Sequence, residues 1–329
     1  MAKPWQIIAK LERKLKMKIM VTGAAGLCGR DIAPILAKHY GYDVIASDIR
    51  KPDNDFQFVH CDISKPEDVQ QAIKGKDIDV IIHLATLQPG QGPPGMSIDI
   101  NVKGTCNILE TALKNSVKRV IFTSSVWAAS RGPSSPYQPI DENIPCTYED
   151  MYDITKHMGE QLCEYFYKKY GLSAIAFRFC GYAPIEGFSN EGDILWDKID
   201  LPALVGRFCG TGPSFKLTNA WDLTQAFRAA IENKDIQHGL FLIGVGMPFV
   251  QEDAEDLEKT PLVVLEKYYP GVSEFIKEIS LDVPPITFWY NTKKAKEHLG
   301  FSPKFSLQDV MRQYYEIDVL PTPSRGRDS

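Results

Sequence analysis

The stretch that most constrains this chain is Lys18-Ile19-Met20-Val21-Thr22-Gly23-Ala24-Ala25-Gly26-Leu27-Cys28-Gly29, where an apolar run stops at three evenly spaced glycines and a helical pattern, Leu27 to Lys38, takes over. A strand, a tight turn and a helix in that order form a phosphate cradle. Gly23 lets the chain leave the strand sharply, Gly26 omits the Cβ that would block a pyrophosphate, and Gly29 lets the helix pack closely on the sheet. The free N–H groups of the first helical turn then face the phosphates. The cradle therefore predicts a dinucleotide held along Gly23, Ala25, Gly26, Leu27, Cys28 and Gly29. Glycines also gather in ordinary turns, and the spacing is G-x-x-G-x-x-G rather than G-x-G-x-x-G. A second sign is needed.

Asp48 supplies it, at the end of a second apolar run, Asp43 to Ser47. A carboxylate there can accept both ribose hydroxyls of NAD and repels a 2′-phosphate. Ile49 and Arg50 follow, and the arginine leaves NADP open. Beyond this point apolar runs alternate with helical patterns as far as Arg178, which predicts a parallel sheet covered on both faces. The expected strands are 18–22, 43–47, 57–60, 80–84, 119–123 and 173–179; the expected helices are 27–38, 66–74, 98–115 and 150–169. The fold class that follows is α/β, a Rossmann-type doubly wound parallel sheet with a smaller C-terminal substrate lobe. Domain bounds follow the same pattern: an N-terminal extension over 1–16, a Rossmann domain over 17–180 completed by about 216–246, a lobe from 181–215 and 247–320, and a flexible tail over 321–329. Further along, a helix is expected over 222–233, a strand returning to the sheet over 239–245, one or two helices over 261–277, and helices over 291–299 and 306–315.

Asp62, followed by Ile63, comes after the third strand, where a carboxylate can reach an adenine amino group or serve as a turn residue. Residues 86–97 hold three prolines and three glycines, with Gln88 among them, as a lid or a plain connection. The extension sets Lys3, Lys10, Arg13, Lys14 and Lys16 against Glu12, with Trp5, Ile8, Leu11 and Leu15 at helical spacing. Such a basic amphipathic helix could lie on a membrane surface or a partner, but the better reading is a helix packed on its own domain, or an extension before a start at Met17.

Charge and composition exclude several classes. A net charge of -5, without a basic stripe interleaved with aromatics, argues against nucleic acid. Seven cysteines without C-x-x-C spacing read as reduced thiols, and together with the six histidines they offer no metal-ligand pattern. The absence of a bilayer-length apolar run and of a signal-peptide pattern predicts a cytoplasmic protein.

The chemistry-bearing pattern is Tyr152-Asp153-Ile154-Thr155-Lys156. Tyrosine and lysine four apart share a helix face, so an ammonium can stand beside the phenol and lower its pKa from about 10 toward neutrality. Tyr152 would then take a proton from an alcohol. Upstream, Val120 to Thr123 form a strand ending in Ser124 and Ser125, whose hydroxyls could donate to the reacting oxygen.

With these residues in view, the chain resembles the extended short-chain dehydrogenases/reductases, the NAD-dependent epimerase/dehydratase family. The likeness runs through Thr22 to Gly29, Asp48, Asp62, His83-Leu84-Ala85, Asn101-Val102-Lys103-Gly104-Thr105, Ser124-Ser125, Asp141-Glu142, Tyr152 with Lys156, Arg178, Pro184 and Leu299 to Pro303. It implies NAD as cofactor and a homodimer formed through two long helices. It assigns Ser125 as the catalytic hydroxyl with Ser124 as the fallback, Tyr152 as acid/base, and Lys156 as the residue orienting the nicotinamide ribose. Leu84, Ala85, Thr86 and Asn101 would line the cofactor site, and Gln88, Ser125, Trp127, Arg178 and Lys216 the substrate. Two departures bear on substrate. Val126-Trp127 follows the catalytic hydroxyl where 4,6-dehydratases carry an acid, and Phe215 takes the place of a diphosphate-binding arginine, leaving Lys216 and Arg207 as substitutes. The expected function is NAD-dependent oxidation of a secondary alcohol of a sugar or related polyol. A nucleotide-sugar epimerase retaining NAD is the alternative, followed by a threonine-type amino-alcohol dehydrogenase or a non-catalytic NAD sensor.

Overall fold

The computed structural model describes residues 16–53, 55–133, 135–183, 194–195, 198–209 and 218–318. The basic extension before residue 16, the tail from 319, the side chain of Arg207, and Lys216 lie outside the described residues. Seven parallel strands form the main sheet. They are β1 (Lys18–Thr22), β2 (Asp43–Asp48), β3 (Gln57–His60), β4 (Val80–His83), β5 (Arg119–Ser125), β6 (Ser173–Phe179) and, after a two-stranded pair β7 (Tyr182–Ala183) and β8 (Thr218–Asn219), β9 (His238–Ile243). Their order is β3-β2-β1-β4-β5-β6-β9. The chain builds outward from β1 to β3, then crosses back to β4 on the other side of β1. At that reversal the C-terminal ends of β1 and β4 open a crevice, the place where α/β sheets bind ligands.

The strands match the apolar runs because residues buried on both faces must be apolar throughout. β1, β4, β5 and β6 are buried along almost their whole length. One core lies on each face, one holding Val21, Ile82, Ile121 and Phe227, the other Met20, Ile81, Phe122 and Phe166. A further cluster around Trp289, Phe275, Leu265 and Val205 gathers the C-terminal segments, and Ile35 and Tyr40 join it to the sheet's helices.

Three expected helices are less regular than their spacing suggests, the 291–299 one ending in a π segment, Ala295–Leu299. The first runs from Gly29 to Pro34 and then widens into a π turn, Ile35–His39. Pro34 has no N–H for the ladder, and Tyr40 N bonds to Ile35 O at 3.2 Å, five residues back. The expected 98–115 helix likewise opens with a π segment, Ile98–Lys103, before the α-helix Gly104–Lys114. The 261–277 segment divides into Pro261–Tyr268 and Val272–Glu278 at Gly271, whose φ of +87° a glycine adopts freely.

The helix Met151–Tyr170 positions the chemistry. The Asp150 carboxylate accepts from Tyr152 N (2.7 Å) and Asp153 N (3.2 Å) to cap it, and Gly171 ends it at φ +71°. Among the described residues, no helix is long and apolar enough to cross a membrane.

Candidate active site

At the end of β1 the glycines answer to different constraints. A β-carbon on Gly23 would lie 2.6 Å from Ala85 N, and one on Gly29 would lie 2.2 Å from Gly23 O. The chain's own packing demands both. A β-carbon on Gly26 would meet Gly23 O at 3.1 Å and otherwise open space. Its absence leaves room in the cradle, which suits a pyrophosphate. Asp48 closes one side, its carboxylate accepting from Ala25 N and Arg50 N at 3.0 Å each. Leu27 and Ile49 are exposed, and Cys28 is half-buried within electrostatic reach of Lys156. Burial pushes the Cys28 thiol up to about 12, so it stays protonated. Open space at Gly26 and a carboxylate at the end of β2 fit a dinucleotide.

The opposite wall is Leu84, Ala85 and Thr86, held by a chain of buried polar groups. Thr105 Oγ1 donates to Asn101 O (2.6 Å), so His83 Nε2 donates to Thr105 Oγ1 (3.2 Å) and Nδ1 accepts from Thr22 Oγ1 (2.7 Å). Thr22 Oγ1 in turn accepts from Ala85 N (3.3 Å). Burial drives the His83 pKa down to about 3, which keeps the imidazole neutral. His83 thus ties β1, β4 and the Gly104–Lys114 helix together beneath the cradle.

Ser125, Tyr152 and Lys156 converge at the end of β5. The Ser125 hydroxyl stands beside the Tyr152 phenol, near enough to oppose the rise in its pKa, and accepts from Trp127 N at 3.2 Å. Lys156 Nζ donates to Thr123 O at 2.7 Å and lies 5.6 Å from the Tyr152 ring centre. Trp127 meets Tyr152 edge-on with centroids 6.3 Å apart, and Arg131 stacks 4.2 Å above Trp127 while bonding Asp153 at 3.0 Å. The expected fall in the tyrosine pKa is not produced by the chain's own groups. Burial raises Tyr152, opposed by the Ser125 hydroxyl, while burial lowers Lys156 to about 7. The desolvation acts on both groups because both stand where water is thin.

Alternation along β5 separates the two serines. Ser125 faces the crevice; Ser124 is fully buried and donates to Glu160 Oε1 at 2.5 Å. Arg178 corrects the expectation of a substrate contact. It is 2% exposed, paired in register with Ser124, and its Nε and Nη2 bond Glu160 at 2.8 and 2.7 Å. A guanidinium clamped this way supports the strand ends from below. Asn101 is similarly engaged. It accepts from Leu87 N (2.7 Å) and Thr86 Oγ1 (3.0 Å) and donates to Leu87 O (3.1 Å) and Thr155 Oγ1 (3.0 Å), so it pins the cofactor wall to the Tyr152 helix rather than offering a free group. Ile63 packs its side chain under Gly104, and Asp62 spends one oxygen on Ser64 N and Oγ and approaches Lys65 with the other. These two read as turn and packing residues. Gln88 is exposed on the loop before the Pro94–Ser97 turn. Sequence reasoning missed His83, Thr105 and Glu160 as organisers, although a histidine in an apolar strand and a glutamate four after Lys156 were visible signals. Among the described residues no cluster of His, Cys, Asp and Glu has metal-binding form.

A family model described as the NAD dependent epimerase/dehydratase family matches residues 19–191, just over half of the chain. A Methanocaldococcus jannaschii protein provisionally described as a UDP-glucose 4-epimerase is 34% identical over 170 residues, 49% of this chain and 54% of that protein. The mitochondrial L-threonine 3-dehydrogenase of Bos taurus is 28% identical over 50% of this chain and 46% of its own. The chain spans about half the length of the curated relatives it matches. In three dimensions it is similar to a short-chain dehydrogenase/reductase superfamily protein of Agrobacterium tumefaciens crystallised with NAD, with TM-score 0.66, 17% identity, and coverage of 92% and 97% of the two chains.

Proposed function

Because the chain belongs to the NAD dependent epimerase/dehydratase family, within the extended short-chain dehydrogenases/reductases, we propose that it oxidises a secondary alcohol of a sugar or related polyol. The observation that carries this reading is the meeting of Ser125, Tyr152 and Lys156 beside the Gly26 cradle. NAD, when bound, supplies the hydride acceptor and a positively charged ring. The chain's residues handle the proton and the geometry. Ser125 donates a hydrogen bond to the substrate oxygen, the Tyr152 phenolate takes its proton, and the Lys156 ammonium favours that phenolate. The backbone around Gly26 would hold the pyrophosphate and Asp48 the adenosine ribose. Trp127, edge-on to Tyr152, presents an apolar platform on the substrate side. Met158, Tyr165 and Tyr170, exposed on the Met151–Tyr170 helix, support a homodimer through that helix.

The Methanocaldococcus relative favours a second reading, nucleotide-sugar epimerisation with retained NAD. Against it stands the sparse arginine content between Phe208 and Met311, where Arg228 is the single example in the sequence and ion-pairs with Glu232 at 2.9 Å. The test is nicotinamide absorbance with catalytic enzyme, excess NAD and a panel of sugars. Net NADH supports dehydrogenation; inverted substrate without net NADH overturns it. In either reaction Tyr152→Phe should cost roughly 10²- to 10⁴-fold in kcat. A variant turning over at the parent rate would remove Tyr152 from the chemistry.

A further inference from the structure

One residue past Lys156 the helix turns about 100° and presents His157 to a second polar cluster. Its centre is Cys146, half-buried in the loop that precedes the helix. Cys146 Sγ lies 3.1 Å from His157 Nδ1 and 3.7 Å from Arg178 Nη2, and the exposed Tyr148 stands beside the pair, its ring centre 5.9 Å from that of His157. Imidazole and guanidinium can each donate, so the sulfur stands where an acceptor is wanted.

The charges point the same way. Glu160 is buried against Arg178 at 2.7 Å, and its Oε2 lies 3.3 Å from the same His157 Nδ1 that meets the sulfur. A nitrogen facing a carboxylate and a sulfur holds its proton between them. Cys146 and Glu160 together hold His157 protonated up to about 9. One carboxylate, one guanidinium and one imidazolium leave an excess positive charge facing the sulfur. Glu142, the remaining acid nearby, turns its carboxylate to Leu242 N (2.8 Å) and offers Arg178 its backbone carbonyl (3.3 Å).

We propose that Cys146, paired with His157, is a reactive nucleophile and a modification site for hydroperoxides and other soft electrophiles. With a hydroperoxide, the sulfur attacks the distal oxygen, an S–O bond forms and the O–O bond breaks. The thiolate is oxidised to sulfenic acid and the peroxide is reduced to an alcohol or water, whose oxygen takes the proton from His157. The site owes nothing to the dehydrogenase reading. It borders that machinery, because Glu160 also holds Ser124 at 2.5 Å.

Three of the other described cysteines serve as internal standards. Cys106 is half-buried on the Gly104–Lys114 helix with Glu110 at 3.9 Å, where desolvation and that carboxylate raise its pKa. Cys163 and Cys180 are fully buried. The experiment treats the full chain at pH 7 with limiting iodoacetamide, or with hydrogen peroxide followed by dimedone, and reads each cysteine by peptide mass spectrometry. Cys146 should react about tenfold faster than Cys106 and be the first trapped as sulfenic acid. His157→Gln should slow Cys146 about tenfold with Cys106 unchanged. New labelling of Cys163 or Cys180 would mark an unfolded variant, in which case Tyr148→Phe, at an exposed position, reads the loss of the neighbouring phenol as a smaller slowing. Cys146 reacting no faster than Cys106, or at the parent rate in both folded variants, overturns the proposal.

Discussion

Gly23, Gly26 and Gly29 look alike in the sequence, yet the chain's own packing demands the first and last, while the middle one leaves open the space we propose for a ligand. Gly29→Ala forces a β-carbon to 2.2 Å from a carbonyl oxygen, so the turn must break or shift. The cost expected is about 1–3 kcal/mol, as for other overpacked sites. Gly26→Ala meets one oxygen at 3.1 Å and should keep the parent unfolding midpoint while losing NAD affinity. Thermal melts beside NAD titrations check this; equal destabilisation by both substitutions would overturn it. At this scale the sequence was readable wherever a residue's placement depends on its neighbours in the chain, as for Tyr152 and Lys156 on one helix. Arg178 was misread because its partner, Glu160, lies on another element, and spacing carries no sign of which face of β6 is roofed by a carboxylate.

Helices were readable from apolar spacing and their ends from capping residues, such as Asp150 and Gly171 around the Tyr152 helix. The π turns were not, because they follow from how Pro34 or a packed neighbour disturbs the ladder. Seating of the Tyr152 helix on β5 also depends on fit. A β-carbon on Gly159 would come within 2.3 Å of Phe122 Cζ, and the Phe122 ring lies 5.1 Å from Lys156 Nζ. Gly159→Ala gains about 1 kcal/mol of helix propensity yet must push the ring or the helix aside. Its kcat should therefore fall further than its unfolding midpoint. Full activity in the variant would show that the helix is not held there.

The whole molecule bears the strain of keeping Lys156 in its interior. Burial lowers this lysine from 10.5 to about 7, so below about pH 7 the folded chain must hold a desolvated ammonium. Between about 7 and 10.5 the unfolded chain binds more protons than the folded one, and stability rises with pH. Lys156→Met removes that cost. Its gain over the parent should be largest near pH 6.5 and shrink toward pH 10, read from urea unfolding across the range; a pH-independent difference would overturn this account. The gain in stability would come with lost activity. At this scale the sequence alone determined the order of strands and helices, the glycine cradle with Asp48, and the tyrosine–lysine pair, because each is set by spacing along a few residues. The tertiary structure alone decided that Ser125 rather than Ser124 faces the crevice, that Asn101 and Arg178 brace it, and that Cys146 meets His157. Those outcomes rest on which faces of separate elements come together, and burial then sets the charge each group can carry.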